Sequence, residues 1–397
     1  MKNSEKLAKE ISKRKDKKVD VCSMIGAEIK AQRQKLNLTL KKAVEGICST
    51  SYLSKIENNM IAISAAYIEK LCERVMLGKD FLQKLENINK YEVEMIEAVY
   101  QRDREAIRRI FNEIRELDNY RVKIIKFIYY VFEKNYELAM IEREKLMKLY
   151  KSIDNSEVEI FGLFSAILDY NNYMYEDAAI VLQSIVKISR DETIIALCYE
   201  YLFLCYYKVN SRKFLSIDEK TINIARDHLL YDRIEEYMFY KYKYYLANHM
   251  DEALDLLKQL SKTKYHQTAK FLYDLSVMNN IDDKADANGF VSAFYELLYL
   301  LYTNNNSFDN VFSKSKHSLT EEEYLYLEFI RAKAASKNSI IDDASSFCFR
   351  AIKLNSVALI GSTLQEACQY YRSKYRYKSI ADITDRANAA INKLEKI

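Results

Sequence analysis

Thr50, Ser51, Tyr52 and Lys55 are the first residues whose types and spacing suggest a chemistry. In the stretch EGICSTSYLSKIEN, residues 45–58, they fall on one outward side of a short helix, three hydroxyls around one cation. Leu53 and Ile56 point the other way, into a small core. Hydroxyls donate and accept at base edges, and an ammonium neutralises a phosphate. This is the equipment of a helix entering a DNA major groove. Ser49 is placed to cap that helix by accepting from an otherwise unpaired first-turn amide. Lys41 and Lys42, just upstream, add two cations for nearby phosphates. Taken alone, the same pattern also describes an ordinary surface helix.

Catalysis has little to stand on. His228, His249, His266 and His317 are isolated, without metal-ligand spacing or a nucleophile motif beside them. The carboxylates sit at helical spacings with Lys and Arg, the pattern of solvated faces. No catalytic residue, metal or cofactor is expected, and the chain is read as not an enzyme. The seven cysteines form no C-x-x-C pair, which suits scattered thiols in a reducing compartment.

Tyrosine is the conspicuous excess: of 33, all but Tyr52 and Tyr67 lie beyond residue 80. Tyrosine fills space between helices, but its ring and hydroxyl also suit a groove for an extended peptide. An Asn amide offers a peptide backbone donor and acceptor together. Polar residues on the first helices of successive pairs are therefore the peptide-binding candidates: Asn171, Glu200, Tyr207, Tyr240, Tyr244 and Asn279.

The elements that must position these residues are helices. At 397 residues the chain is long enough for two units or a repeat array. It has no Pro, no Trp and only 6 Gly, so helices run uninterrupted and β-turns lack their raw material. The fold class expected is all-α. Net charge is +4, but residues 1–80 carry 17 basic against 10 acidic side chains, or +7, leaving −3 for the rest. A basic head on a mildly acidic body directs any polyanion to the head. No apolar run is long enough to span a membrane and residues 1–20 are charged, so a cytoplasmic location is expected.

Residues 1–22 are read as a basic tail, mobile or marginally helical, or alternatively as an arm lying along phosphates. Residues 23–80 form a head of five short helices, with Thr39, Ser49 and Ser64 as N-caps and Asn59 as a left-handed C-terminal cap. Residues 81–90 are a linker helix. From 91 to 397 apolar periodicity predicts helix pairs, joined by short polar-aromatic turns such as KNYELA at 134, YMYEDA at 173 and NHMDEA at 248. Ala106, Ala139, Ala178, Ala253, Ala344 and Ala381 recur near the start of second helices, where two helices cross closely. Their spacing lies close to that of tetratricopeptide repeats, whose pairs bury their apolar faces only by stacking.

Residues 25–77 resemble a helix-turn-helix domain of the Cro/C1 (XRE) class, in helix order, in the Thr-capped second helix and in YLSKIEN. The resemblance implies a scaffold ion pair between Arg33 and Glu57. It also makes Cys48, at the start of the reading helix, a core residue in preference to a redox switch, because the matching turn position is usually apolar. Departures from the class are Leu40 in place of a phosphate-binding Gln, the size-reversed pair Ala43-Val44, and Asn59, Met60 and Ile63 after the third helix. With NSVALIG at 355–361, the chain resembles the RRNPP group of Gram-positive peptide-pheromone receptors, nearest its PlcR-like members. That resemblance implies a cytoplasmic homodimer binding a double-stranded DNA operator, with a short linear signalling peptide in the repeats as in quorum sensing. A Rap-type adaptor, docking a folded protein and carrying a vestigial head, is the alternative.

Overall fold

The computed structural model describes residues 3–14, 24–58, 60–61, 63–77, 81–117, 119–277, 289–303, 305, 307–336, 341 and 344–394. Every regular element among them is helical. No helix among them is long and apolar enough to cross a membrane. The chain divides into two compact units, Met1–Leu202 and Phe203–Ile397.

The first unit begins with α1 (Asn3–Ser12), followed by the head helices α2 (Met24–Lys35), α3 (Leu40–Val44), α4 (Thr50–Glu57) and α5 (Ala65–Arg74). It continues through α6 (Phe81–Gln101), α7 (Arg104–Ile114), α8 (Tyr120–Phe132), α9 (Tyr136–Met147), α10 (Asn155–Asn171) and α11 (Tyr175–Val186). Neighbours α6/α7, α8/α9 and α10/α11 pack as pairs, and the first helices α6, α8 and α10 also pack in series. The expected linker helix and first repeat helix are one element, because nothing between Phe81 and Gln101 interrupts the backbone ladder.

The tail does not extend as an arm over its described part. Its helix α1 lies across α10 and α11 with Leu7, Ala8 and Ile11 buried. Gly162 makes room for this: a Cβ there would sit 2.7 Å from Ile11 Cδ1. Ser4 Oγ donates to Asp177 at 2.7 Å. Arg14 turns its guanidinium onto the carbonyls of Tyr150, Ile153 and Asp154, in the turn between α9 and α10.

The unit boundary falls inside α12 (Glu192–Lys208). The second unit then holds α13 (Phe214–Asp227), α14 (Tyr231–Ala247), α15 (Glu252–Gln259), α16 (His266–Ser276), α17 (Ala293–Tyr302), α18 (Phe308–Ser315), α19 (Glu321–Ala335), α20 (Ala344–Lys353), α21 (Val357–Ser373) and α22 (Tyr377–Leu394). Here α14 packs on α13 and α15, α17 on α18 and α19, and α21 on α20 and α22. Of the recurring alanines, Ala139, Ala178, Ala253 and Ala344 are buried at helix crossings. Ala381 is exposed, so close packing does not explain it.

The chain turns corners with hardly any glycine. Arg102, Lys134, Tyr173, Asn210, Leu229, His249, Asn355 and Tyr375 each follow a helix with φ between 49° and 61°. The next amide reaches back five residues, as Asn135 N to Tyr130 O at 2.9 Å and Leu230 N to Ala225 O at 2.9 Å. This closure satisfies the last carbonyls of a helix. It holds an L side chain in the left-handed region at a cost of about 1–2 kcal/mol.

Candidate nucleic-acid interface and the repeat cluster

In the head, local polar geometry fixes the helix that would meet DNA. Thr39 Oγ1 accepts from Lys42 N at 3.3 Å and Ser49 Oγ from Tyr52 N at 3.1 Å, starting α3 and α4. Ser64 starts α5 without such a bond; its own amide donates instead to the Tyr52 hydroxyl at 2.9 Å. The Tyr52 ring meets Tyr67 edge-on at 5.4 Å. Tyr52 is thus half-buried and engaged in the head itself. Thr50, Ser51 and Lys55 are exposed, as are Lys41 and Lys42.

Behind them Leu53 and Ile56 join Ile25, Ile29, Ala43, Val44, Ile63 and Leu71 in one core. Leu40 packs onto the same core, so the position that departs from the XRE pattern serves packing. Gly26 lets α2 cross α4 closely: a Cβ would lie 2.2 Å from Ile56 O. Arg33 meets Glu57 through two bonds, Nε to Oε1 at 2.6 Å and Nη2 to Oε2 at 2.8 Å, and also donates to Leu38 O at 2.8 Å. The guanidinium is held charged above its ordinary range, first by its hydrogen bond to Glu57. Arg74 donates to Lys42 O and Glu45 O, tying α5 to the end of α3. Cys48 is half-buried against the core, and burial pushes its thiol up, away from the reactive thiolate. Asn59 lies outside the described residues.

The head is anchored through α2. Lys30 Nζ donates to Ser152 Oγ at 2.7 Å, and Tyr120 N donates to Glu28 Oε2 at 3.4 Å. Beside this junction Arg121 is wholly buried, with Nε 2.5 Å from Glu157 Oε1 and Nη2 3.3 Å from Asp154 Oδ2. The Tyr120 hydroxyl donates to the Glu157 carboxylate at 3.0 Å. Acids outnumber the arginine here. Burial, opposed by Arg121 and reinforced by Asp154, raises the Glu92 carboxyl to about 7.

The six peptide-binding candidates separate into different environments. Asn171 donates its amide to Ile167 O at 2.9 Å, within its own helix. Glu200 is buried and paired with Arg102 at 2.8 Å. Tyr244 is buried, stacked on Phe214 at 4.4 Å, and its hydroxyl donates to Ser211 O at 3.2 Å. Asn279 lies outside the described residues. Tyr207 and Tyr240 do come together, edge-on at 4.9 Å and both partly open to solvent.

Between these two rings lies a residue that sequence reasoning missed. Lys243 Nζ is 4.2 Å from the Tyr240 ring centre, 4.8 Å from Phe239, 5.1 Å from Tyr207 and 5.8 Å from Tyr295. It donates to the Tyr295 hydroxyl at 3.2 Å. Close by, Lys208 Nζ meets Glu322 Oε2 at 2.5 Å, and Ser356 Oγ donates to Glu322 Oε1 at 2.6 Å. Burial works to raise the Glu322 carboxyl, but Lys208 and Ser356 outweigh it and the net shift is downward.

Residues 29–74 match the helix-turn-helix family model. The chain is similar to the transcriptional activator NprA of Geobacillus stearothermophilus, 27% identical over 142 residues. That alignment takes in 34% of this chain and 35% of the activator, about a third of each. Among solved structures it is similar to Bacillus thuringiensis PlcR, crystallised in complex with the peptide PapR7 and DNA. The similarity is 19% in sequence with a TM-score of 0.36, covering 64% of this chain and 96% of PlcR. The head is a helix-turn-helix domain on an all-helical body.

Proposed function

We propose that the chain is a cytoplasmic transcriptional regulator of the RRNPP type, a homodimer that binds a DNA operator through α4 under the control of a short linear peptide held by its repeats. The observation that carries this reading is the head: a helix-turn-helix match whose α4 keeps Thr50, Ser51 and Lys55 open to solvent over a closed core. Similarity to a transcriptional activator supports the same class. Tyr52 supports α4 from behind and places its neighbours, while Lys41 and Lys42 stand for flanking phosphates. Peptide would act by population shift, preferring one arrangement of the repeats and so one placement of the two heads. The chain carries no catalytic role in this reading.

The test selects bound duplexes from a randomised DNA pool with the full chain, then measures affinity against salt. A Ser51→Ala, Lys55→Ala double variant should bind the selected site at least about tenfold more weakly, with a salt slope lower by about 1 for the lost phosphate contact. Equal affinity and slope in the variant would remove α4 from the interface. Failure to enrich any sequence would overturn the regulator reading.

A further inference from the structure

We propose that Lys243 and the rings around it form the receptor for a carboxylate of the bound ligand, the point at which the repeats of the second unit choose an acidic peptide. This deepens, and rests on, the peptide-sensing reading above. Four aromatic faces enclose the ammonium, drawn from α12 (Tyr207), α14 (Phe239, Tyr240) and α17 (Tyr295). Such faces attract a cation, but none supplies the charge that neutralises it. Every other strong charge beside it from α12 and α19 has a partner. Lys208 is taken by Glu322, Glu322 also by Ser356, and Glu323 by the amide and hydroxyl of Thr320 in a capping box. Glu236, on α14 itself, acts on Lys243 through space, as Glu323 and Glu322 do from α19. Among the described residues no carboxylate reaches ion-pair distance of Lys243, whose hydrogen bond is to a neutral phenol.

Tyr207, Tyr240, Lys243 and Tyr295 each keep partial exposure as residues, so the cluster lies near the surface and not deep in the core. A largely buried cation without a paired carboxylate, in a low-dielectric ring of aromatic side chains, gains most from an incoming carboxylate, which brings a short charge-assisted hydrogen bond. Burial, with Lys208 adding to it, pushes the ammonium down to about 7, and the carboxylates of Glu323, Glu236 and Glu322 partly offset that through space. A bound carboxylate would restore the charged form. Capture above neutral pH therefore takes up a proton, and affinity falls as pH rises.

The probe is a set of synthetic heptapeptide pools, screened on the full chain by affinity selection and mass spectrometry. One pool carries free C-termini and acidic side chains, a second is amidated, a third lacks Asp and Glu, and a fourth has neither source of carboxylate. Wild type should retain carboxylate-bearing peptides and reject the fourth pool; the second and third arms tell a terminal carboxylate from a side-chain one. Lys243→Met, which fits the same rings, should lose at least about tenfold in affinity, and Lys243→Arg should keep most of it. Between about pH 6.5 and 8.5 the retained peptides should weaken severalfold on wild type and stay level on Lys243→Arg. Thermal unfolding of both variants checks that the second unit remains folded, with Lys243→Gln as a further variant. Equal retention of the fourth pool, or unchanged binding by Lys243→Met and Lys243→Gln, would overturn the receptor and leave a peptide sensor standing. If no pool is retained by any form, the peptide-sensing reading itself falls.

Discussion

Glu92 enters the first unit with its carboxyl withdrawn from water, near one arginine that Glu157 and Asp154 already share. Its folded value of about 7 lies above the ordinary 4.5, so folding favours the neutral acid. The cost of ionising it is absent below about pH 4.5 and grows until the folded value is passed. Replacing Glu92 by Gln should raise the unfolding free energy near pH 8 by on the order of 2 kcal/mol, with little change near pH 4. Denaturant titrations at both pH values check this. Arg33 shows the opposite dependence on a partner. Its bidentate pair with Glu57 closes α2 over the end of α4, and Arg33→Met leaves a 3%-exposed carboxylate alone. A loss of about 3 kcal/mol or more is expected, read from the head's thermal transition. Glu57→Gln with Arg33→Met together should recover part of it. The Arg33–Glu57 geometry follows from the XRE resemblance, whereas Lys243 was not legible. Its neighbours at 207, 240 and 295 meet only through stacking, and no local pattern joins them.

At the scale of elements, periodicity and capping chemistry are local, so they can be read along the chain. Thr39 and Ser49 cap as their types suggest, and the pairs α6/α7, α8/α9, α10/α11 and α14/α15 pack as their apolar spacing implies. Helix α1 was hidden because Leu7, Ala8 and Ile11 are few among many charges. Its apolar stripe becomes meaningful only opposite Gly162. The turns were visible as polar-aromatic pieces, but not the left-handed conformation that closes them. There the backbone would rather have glycine. Leu229→Gly and Tyr375→Gly, both at exposed positions, should stabilise by up to about 1 kcal/mol. Relief of the Cβ contact exceeds glycine's added chain entropy there. Gly26→Ala should do the reverse, since the new methyl meets the Ile56 carbonyl. Paired denaturant midpoints measure both.

At the scale of the whole molecule, the start of the chain is part of the first unit's body. Leu7→Asp with Ile11→Asp puts two charges into the contact with α10 and α11. That should cost roughly 3–5 kcal/mol, with hydrogen exchange rising in α1 and along the two helices it covers. Unchanged exchange in α10 and α11 would show that α1 is dispensable to them. The absence of tryptophan gives the Tyr207–Tyr240–Tyr295 enclosure a further consequence. With no indole to drain excitation, phenol emission and near-ultraviolet dichroism report directly on ring surroundings. Occupancy beside Lys243 should then be visible in the unlabelled chain as a spectral change that Tyr240→Phe diminishes.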